Sequence, residues 1–157
     1  HPKLKQEVLA CTALESLATA MALKGYDRGN QFATEGDETT PAQVDIDLAM
    51  GGYRFSIEWG RRGLPFSPND SLLRKILAAS LQNHALLRCN EANEVQSSFV
   101  DLATRLRAME KIFREAAQSL EEAIQLSPDE LVFQQTLEAI NKKLAEIEDV
   151  RLQHFLR

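Results

Sequence analysis

From Val44 to Trp59 apolar residues fall on every second position: Val44, Ile46, Leu48 and Met50 before Gly51-Gly52, then Tyr53, Phe55, Ile57 and Trp59 after it. Alternation with period two puts each set on one face of a strand, and a Gly-Gly loop suits the primed turns that join antiparallel strands. The pattern predicts a two-stranded β-hairpin over about 44–59, pairing Met50 with Tyr53, Leu48 with Phe55, Ile46 with Ile57 and Val44 with Trp59 on one shared face. An isolated hairpin is marginal in water, so that face is expected to lie on a helical layer. Its edges could add a partner strand, with Asp45 and Asp47 blunting one of them.

The rest of the chain follows the helical period. Between Lys3 and Lys24 the residues Leu4, Val8, Cys11, Leu14, Ala18, Met21 and Ala22 return to one broad face, and Gly25 is placed to end that helix. Gly25 to Gln43 holds turn-forming residues and the acids Glu35, Asp37 and Glu38, and reads as an acidic loop anchored by Phe32. Gly63, Pro65 and Pro68 exclude a regular element after the hairpin, and Asn69 or Asp70 then caps a helix from Ser71 to Cys89 that is apolar on more than one stripe.

Val95, Phe99, Leu102, Leu106, Met109, Phe113, Ala116, Leu120 and Ala123 step by four and three, the seam of a coiled coil. This predicts a helix over about 93–125, with Asp101–Arg105 and Glu110–Arg114 pairs on its outer faces. Ser127-Pro128-Asp129-Glu130 reads as a capping box with Pro at the first helical position. It opens a last helix over about 128–156, seamed by Phe133, Leu137, Ile140, Leu144 and Ile147. A short link between two seamed helices predicts an antiparallel pair. The expected fold is mainly α (α+β): an N-terminal helix, one hairpin, and a helical bundle. It is read as a single domain over 1–157, with a helix-plus-hairpin subregion at 1–66 and a helical subregion at 68–157.

Composition changes this picture little. The 157 residues, 44% apolar and 26% charged, belong to a globular chain that can bury a core without staples. A net charge of −5 argues against a nucleic-acid binder working through its overall field. Cys11 and Cys89 match no metal or redox spacing and read as small buried thiols of a reducing compartment. No unbroken apolar run reaches the ~18–20 residues of a membrane span, so a cytoplasmic location without membrane contact is expected. The chain begins His1-Pro2 rather than Met, as a piece of a longer protein would.

Candidate chemistry is sparse. The chain holds no Gly-rich phosphate loop, zinc helix, nucleophile elbow or calcium loop, and no Glu-x-x-His step. His84 and His154 read as bundle and surface residues, and Glu35, Asp37 and Glu38 as a solvated acidic loop. Neither a cofactor, a metal site nor a catalytic set is expected, although an enzyme could still gather scattered residues such as Tyr26, Asp27 and His84. Phe113, Ala116, Leu120, Ala123 and Pro128 resemble the second half of a tetratricopeptide motif, a resemblance that implies helical-repeat binding and covers less than one repeat. Ala103, Thr104 and Arg107 do not match its first half.

Between Gly51 and Lys75 five cations, Arg54, Arg61, Arg62, Arg74 and Lys75, stand against Glu58 and Asp70, net +3, with Tyr53, Phe55, Trp59 and Phe66 interleaved. Cations and rings together suit single-stranded nucleic acid. On a hairpin, however, the rings and Arg54 point to opposite faces. The expected function is therefore a non-enzymatic protein–protein interaction module, a scaffold, adaptor or small subunit, with self-association through the long helices as one form. These five cations are the first choice for partner contact, Arg61 and Arg62 above all. Nucleic-acid binding through the same segment is the alternative.

Overall fold

A computed structural model describes residues 2–34, 43–98 and 100–155. Five helices make it up: α1 Pro2–Thr34, α2 Gln43–Gly63, α3 Ser71–Gln96, α4 Leu102–Leu126 and α5 Leu131–Phe155. No strand occurs among the described residues, so the expected hairpin is wrong: its whole span lies in α2.

The reason is a face the hydrophobic pattern does not show. Ala49, Gly52, Tyr53, Ser56, Ile57 and Gly60 are all buried, and they recur at three- and four-residue steps. Most are too small to register as apolar, so the larger residues between them produced the false alternation. Two steps along a helix turn a side chain by about 200°, and the supposed face is accordingly split. Tyr53 and Ile57 are buried, Trp59 is half-buried and Phe55 is exposed. No glycine among the described residues has a positive φ, so Gly51-Gly52 makes no turn.

The same small residues explain α1. Gly25 does not end it; Gly25 and Gly29 lie inside the helix where it crosses α2. A methyl group built on Gly52 would stand 2.5 Å from Gly29 N and 2.9 Å from the Gly25 carbonyl oxygen, and one on Gly63 would stand 2.6 Å from Ala18 Cβ. The two helices therefore run antiparallel with their backbones nearly touching, a geometry that a stripe of small residues permits. Phe32 belongs to α1, under the Arg28 guanidinium at 5.9 Å, rather than to a loop. The acids Glu35, Asp37 and Glu38 lie outside the described residues.

The chain divides into two compact units, His1–Ser80 and Leu81–Arg157, with the boundary inside α3. In the first, Ala22, Leu73 and Ile76 form a core with Tyr26 and Trp59 against it. Asp70 caps α3 as expected, accepting from the backbone N–H groups of Leu72 and Leu73 at 2.9 and 3.0 Å, and its second oxygen accepts from the Thr19 hydroxyl of α1 at 3.1 Å. Ser80 donates to Ser56 at 2.8 Å, both hydroxyls fully buried. Tyr53 donates to Asn30 Oδ1 at 2.8 Å.

In the second unit α4 and α5 are antiparallel, as their seams predict, with Leu106, Met109, Phe113, Leu120, Phe133, Ile140 and Ile147 buried. The seam starts later than expected. Val95 lies in the last turn of α3, and Asp101 caps a separate α4, so the expected helix over 93–125 is two helices. The last helix also starts late, at Leu131. In the turn before it Glu130 N–H bonds the Ser127 carbonyl at 3.3 Å, so Pro128 precedes the helix instead of opening it. Glu110 pairs with Arg114 as expected and also with Arg151 of α5. Hydrogen bonds from Arg114 and then Arg151 hold its carboxyl below the ordinary value of 4.5.

Candidate functional site

Two surfaces of the first unit stand out. Arg54, Arg61 and Arg62 are all exposed on α2, where helical spacing brings them together with Glu58. Arg62 pairs with Glu58 at 2.5 Å and lies over the Trp59 ring at 5.5 Å. Phe55 and Trp59 are neighbours, their rings 6.3 Å apart. On a helix, then, Phe55, Trp59 and Arg62 at i, i+4 and i+7 share one side, beside Arg54 and Arg61. That reverses the opposed faces expected of a hairpin. Arg74 and Lys75 lie on α3; Arg74 donates to the Pro68 carbonyl at 3.1 Å, and Lys75 is exposed. Of the two acids counted against these cations, Glu58 neutralises Arg62 and Asp70 is engaged at the α3 cap.

The second surface belongs to the helix whose apolar face is legible between Lys3 and Lys24, but its exposure is not legible in the sequence. Gly63, the last residue of α2, lies against Ala18, so the part of α1 before Ala18 runs on past the end of its partner helix. Every described side chain there, from Lys3 to Leu17, is exposed except half-buried Glu15. Leu9 is 68% exposed, Leu14 46% and Leu17 47%. A stretch of 15 residues, about 22 Å long at ~1.5 Å per residue, thus presents leucine and alanine to water. Isolated exposed leucines are ordinary, but several together on one element mark a contact surface. Cys11, expected to be buried, is exposed in this stretch. Within Lys5–Ala33 of α1 one 18-residue window reaches a mean hydropathy of 1.3, long and apolar enough by length and composition to cross a membrane. The second half of α1, however, supplies Ala18, Gly25 and Gly29 to the contact with α2 and Ala22 to the core with Leu73 and Ile76.

The remaining candidates lie on α1, α3 and α5. The Tyr26 ring lies tilted against that of Tyr53, their centroids 6.3 Å apart, Asp27 is exposed, His84 is half-buried on α3 and His154 is exposed near the end of α5. Cys89 is half-buried, and burial raises its thiol pKa to about 11, which keeps it a neutral, unreactive thiol at neutral pH. Among the described residues no three His, Cys, Asp or Glu side chains gather as a metal ion would require. No protein-family model, curated protein or solved structure matches this chain.

Proposed function

We propose that the protein is a non-enzymatic interaction module, a scaffold, adaptor or small subunit, whose docking element is the bare N-terminal half of α1. The observation that carries this reading is the exposure of Leu9, Leu14 and Leu17 on a helix that has outrun its intrachain partner. Covering a large apolar side chain contributes ~1.5–3 kcal/mol, so three leucines from each side supply a substantial drive to associate. A second copy of the chain suits the helix. An antiparallel pair centred on Ala10 sets Lys5 of each copy level with Glu15 of the other, while Lys3 and Glu7 stand level with Leu17 and Ala13.

Sedimentation velocity over a wide concentration range tests this directly. The wild type should pass from monomer to dimer, and Leu9→Ser with Leu17→Ser should remain monomeric at every concentration with an unchanged circular dichroism spectrum. A wild type that stays monomeric to near-millimolar concentration removes self-association. Co-flotation with lipid vesicles that the same double variant abolishes would replace a protein partner with a bilayer.

A second reading gains one specific observation from the structure. Phe55, Trp59 and Arg62 on one side of α2, beside Arg54 and Arg61, supply rings and cations from a single helix. Oligonucleotide binding through this face would weaken steeply with added salt and would be lost in Arg61→Ala with Arg62→Ala. Binding that survives that double variant would exclude it.

A further inference from the structure

Asp101 and Arg105 have the spacing of a helical ion pair, yet they do not meet. Asp101 is the N-cap of α4, its carboxylate accepting from the Thr104 N–H at 3.0 Å. Hydrogen bonds from Thr104, side chain and then backbone, hold that carboxyl below its ordinary range. Arg105 turns the other way. Its Nη1 donates to the carbonyl of Gln96 at 2.9 Å, at the end of α3, and its Nε is buried with no hydrogen-bond partner among the described residues. The equally spaced pair nine residues further on, Glu110 and Arg114, does form at 2.8 Å, so the cap is what diverts the acid.

Arg105 opens onto a cavity of about 360 Å³ between α4, α5 and the end of α3, within the second unit. Its floor is buried Leu106, Met109 and Ile147, and its rim carries half-exposed Lys143 and Glu146. Those two pair with each other at 2.8 Å, so the uncompensated charge of the lining is that of Arg105. The volume is in the range of small-molecule pockets, roughly 300–1,000 Å³, and an apolar floor with a few polar groups around it is their usual chemistry. The guanidinium makes one hydrogen bond, from Nη1 to the Gln96 carbonyl, and a carboxylate is the planar anion that its remaining donors fit.

We propose that this cavity binds a small amphiphilic carboxylate of about the size of a medium-chain fatty acid. The head group sits on Arg105 and the chain lies on Leu106, Met109 and Ile147. The site is independent of the bare half of α1.

Isothermal titration of the full chain with decanoate, decanol and decyltrimethylammonium at equal ionic strength separates charge from apolar contact. Decanoate should bind saturably at one site, with the alcohol and the cation weaker by about ten- to a hundredfold, the range that a charge-assisted hydrogen bond supplies. Arg105→Gln should bring decanoate down to the level of decanol. Arg114→Gln, which alters an exposed cation on the same helix, should change nothing. The proposal is overturned by equal affinity for all three probes, by the absence of saturable decanoate binding, or by decanoate binding that Arg105→Gln leaves intact. The last is the result that adsorption on α1 would give. Should Arg105→Gln fail to fold, the contrast between decanoate and decanol on the wild type decides alone.

Discussion

Gly51 and Gly52 are adjacent residues on one helix, and the structure assigns their alanine variants opposite signs. In the middle of a helix Gly is less favourable than Ala by ~0.5–1 kcal/mol, so each substitution begins with a gain of that size. At Gly51 nothing lies within 4 Å of the added methyl, and the gain should appear whole. At Gly52 the methyl would meet Gly29 N at 2.5 Å, Gly29 Cα at 2.8 Å and the Gly25 carbonyl oxygen at 2.9 Å, all of them backbone atoms that no rotamer change can move aside. Overpacking of this kind costs ~1–3 kcal/mol, and backbone contacts on both α1 glycines put it at the upper end, for a net loss of about 1–2 kcal/mol. Chemical denaturation followed by the fluorescence of Trp59, the one tryptophan of the chain, reads the unit concerned. The reasoning predicts Gly51→Ala more stable and Gly52→Ala less stable than the wild type. Destabilisation of both, as a Gly-Gly turn would give, or stabilisation of both, as separated helices would give, refutes it.

Ser80→Ala should cost about 1–3 kcal/mol because it leaves the Ser56 hydroxyl buried without its 2.8 Å partner, whereas the double variant Ser56→Ala, Ser80→Ala should recover most of that loss in a denaturation cycle. Tyr53→Ala should cost ~3–5 kcal/mol, since Tyr53 is 2% exposed, while Phe55→Ala, at 37% exposed, should cost less than ~1 kcal/mol; similar losses for the two would restore the shared face of a hairpin. Glu110→Gln should lower stability at neutral pH by roughly 0.2–1 kcal/mol. Because the folded-state pKa of Glu110 is depressed, its contribution is present above 4.5 and lost as the pH falls through the lower folded value, so thermal melts of variant and wild type should converge in acid. Melts that diverge further as the pH falls would contradict the assignment.

Much of the helical architecture was legible residue by residue. Large apolar side chains at three- and four-residue steps announced α3, α4 and α5 and the antiparallel α4–α5 pair, and Asp70 carried its cap in its chemistry. The elements missed share one cause. Where helices touch through Gly, Ala and Ser, the contact face has no hydrophobic signal, and the eye falls on the larger residues around it. Gly25 with Gly29, and Gly52 with Ser56 and Gly60, each spaced by four, were the available sign, but single glycines read more readily as helix ends and turns. At Asp101 two local rules competed, an ion pair with Arg105 and a cap for α4. The cap prevailed, shortening the seam and freeing Arg105. Arg54, Arg61 and Arg62 were legible as a cluster from their closeness in sequence, but their relation to Phe55 and Trp59 depended on the helix. The bare half of α1 could not be read locally at all, because its exposure is set by where α2 stops, opposite Ala18.

Amide hydrogen exchange of residues 3–17, measured at low and at high protein concentration, tests the claimed docking role most directly. A helix without a neighbour opens easily, so exchange should be fast when the chain is dilute and should slow markedly in this stretch alone as the concentration rises. Exchange that is equally fast at every concentration, or already slow in the dilute chain, would contradict the role assigned to α1.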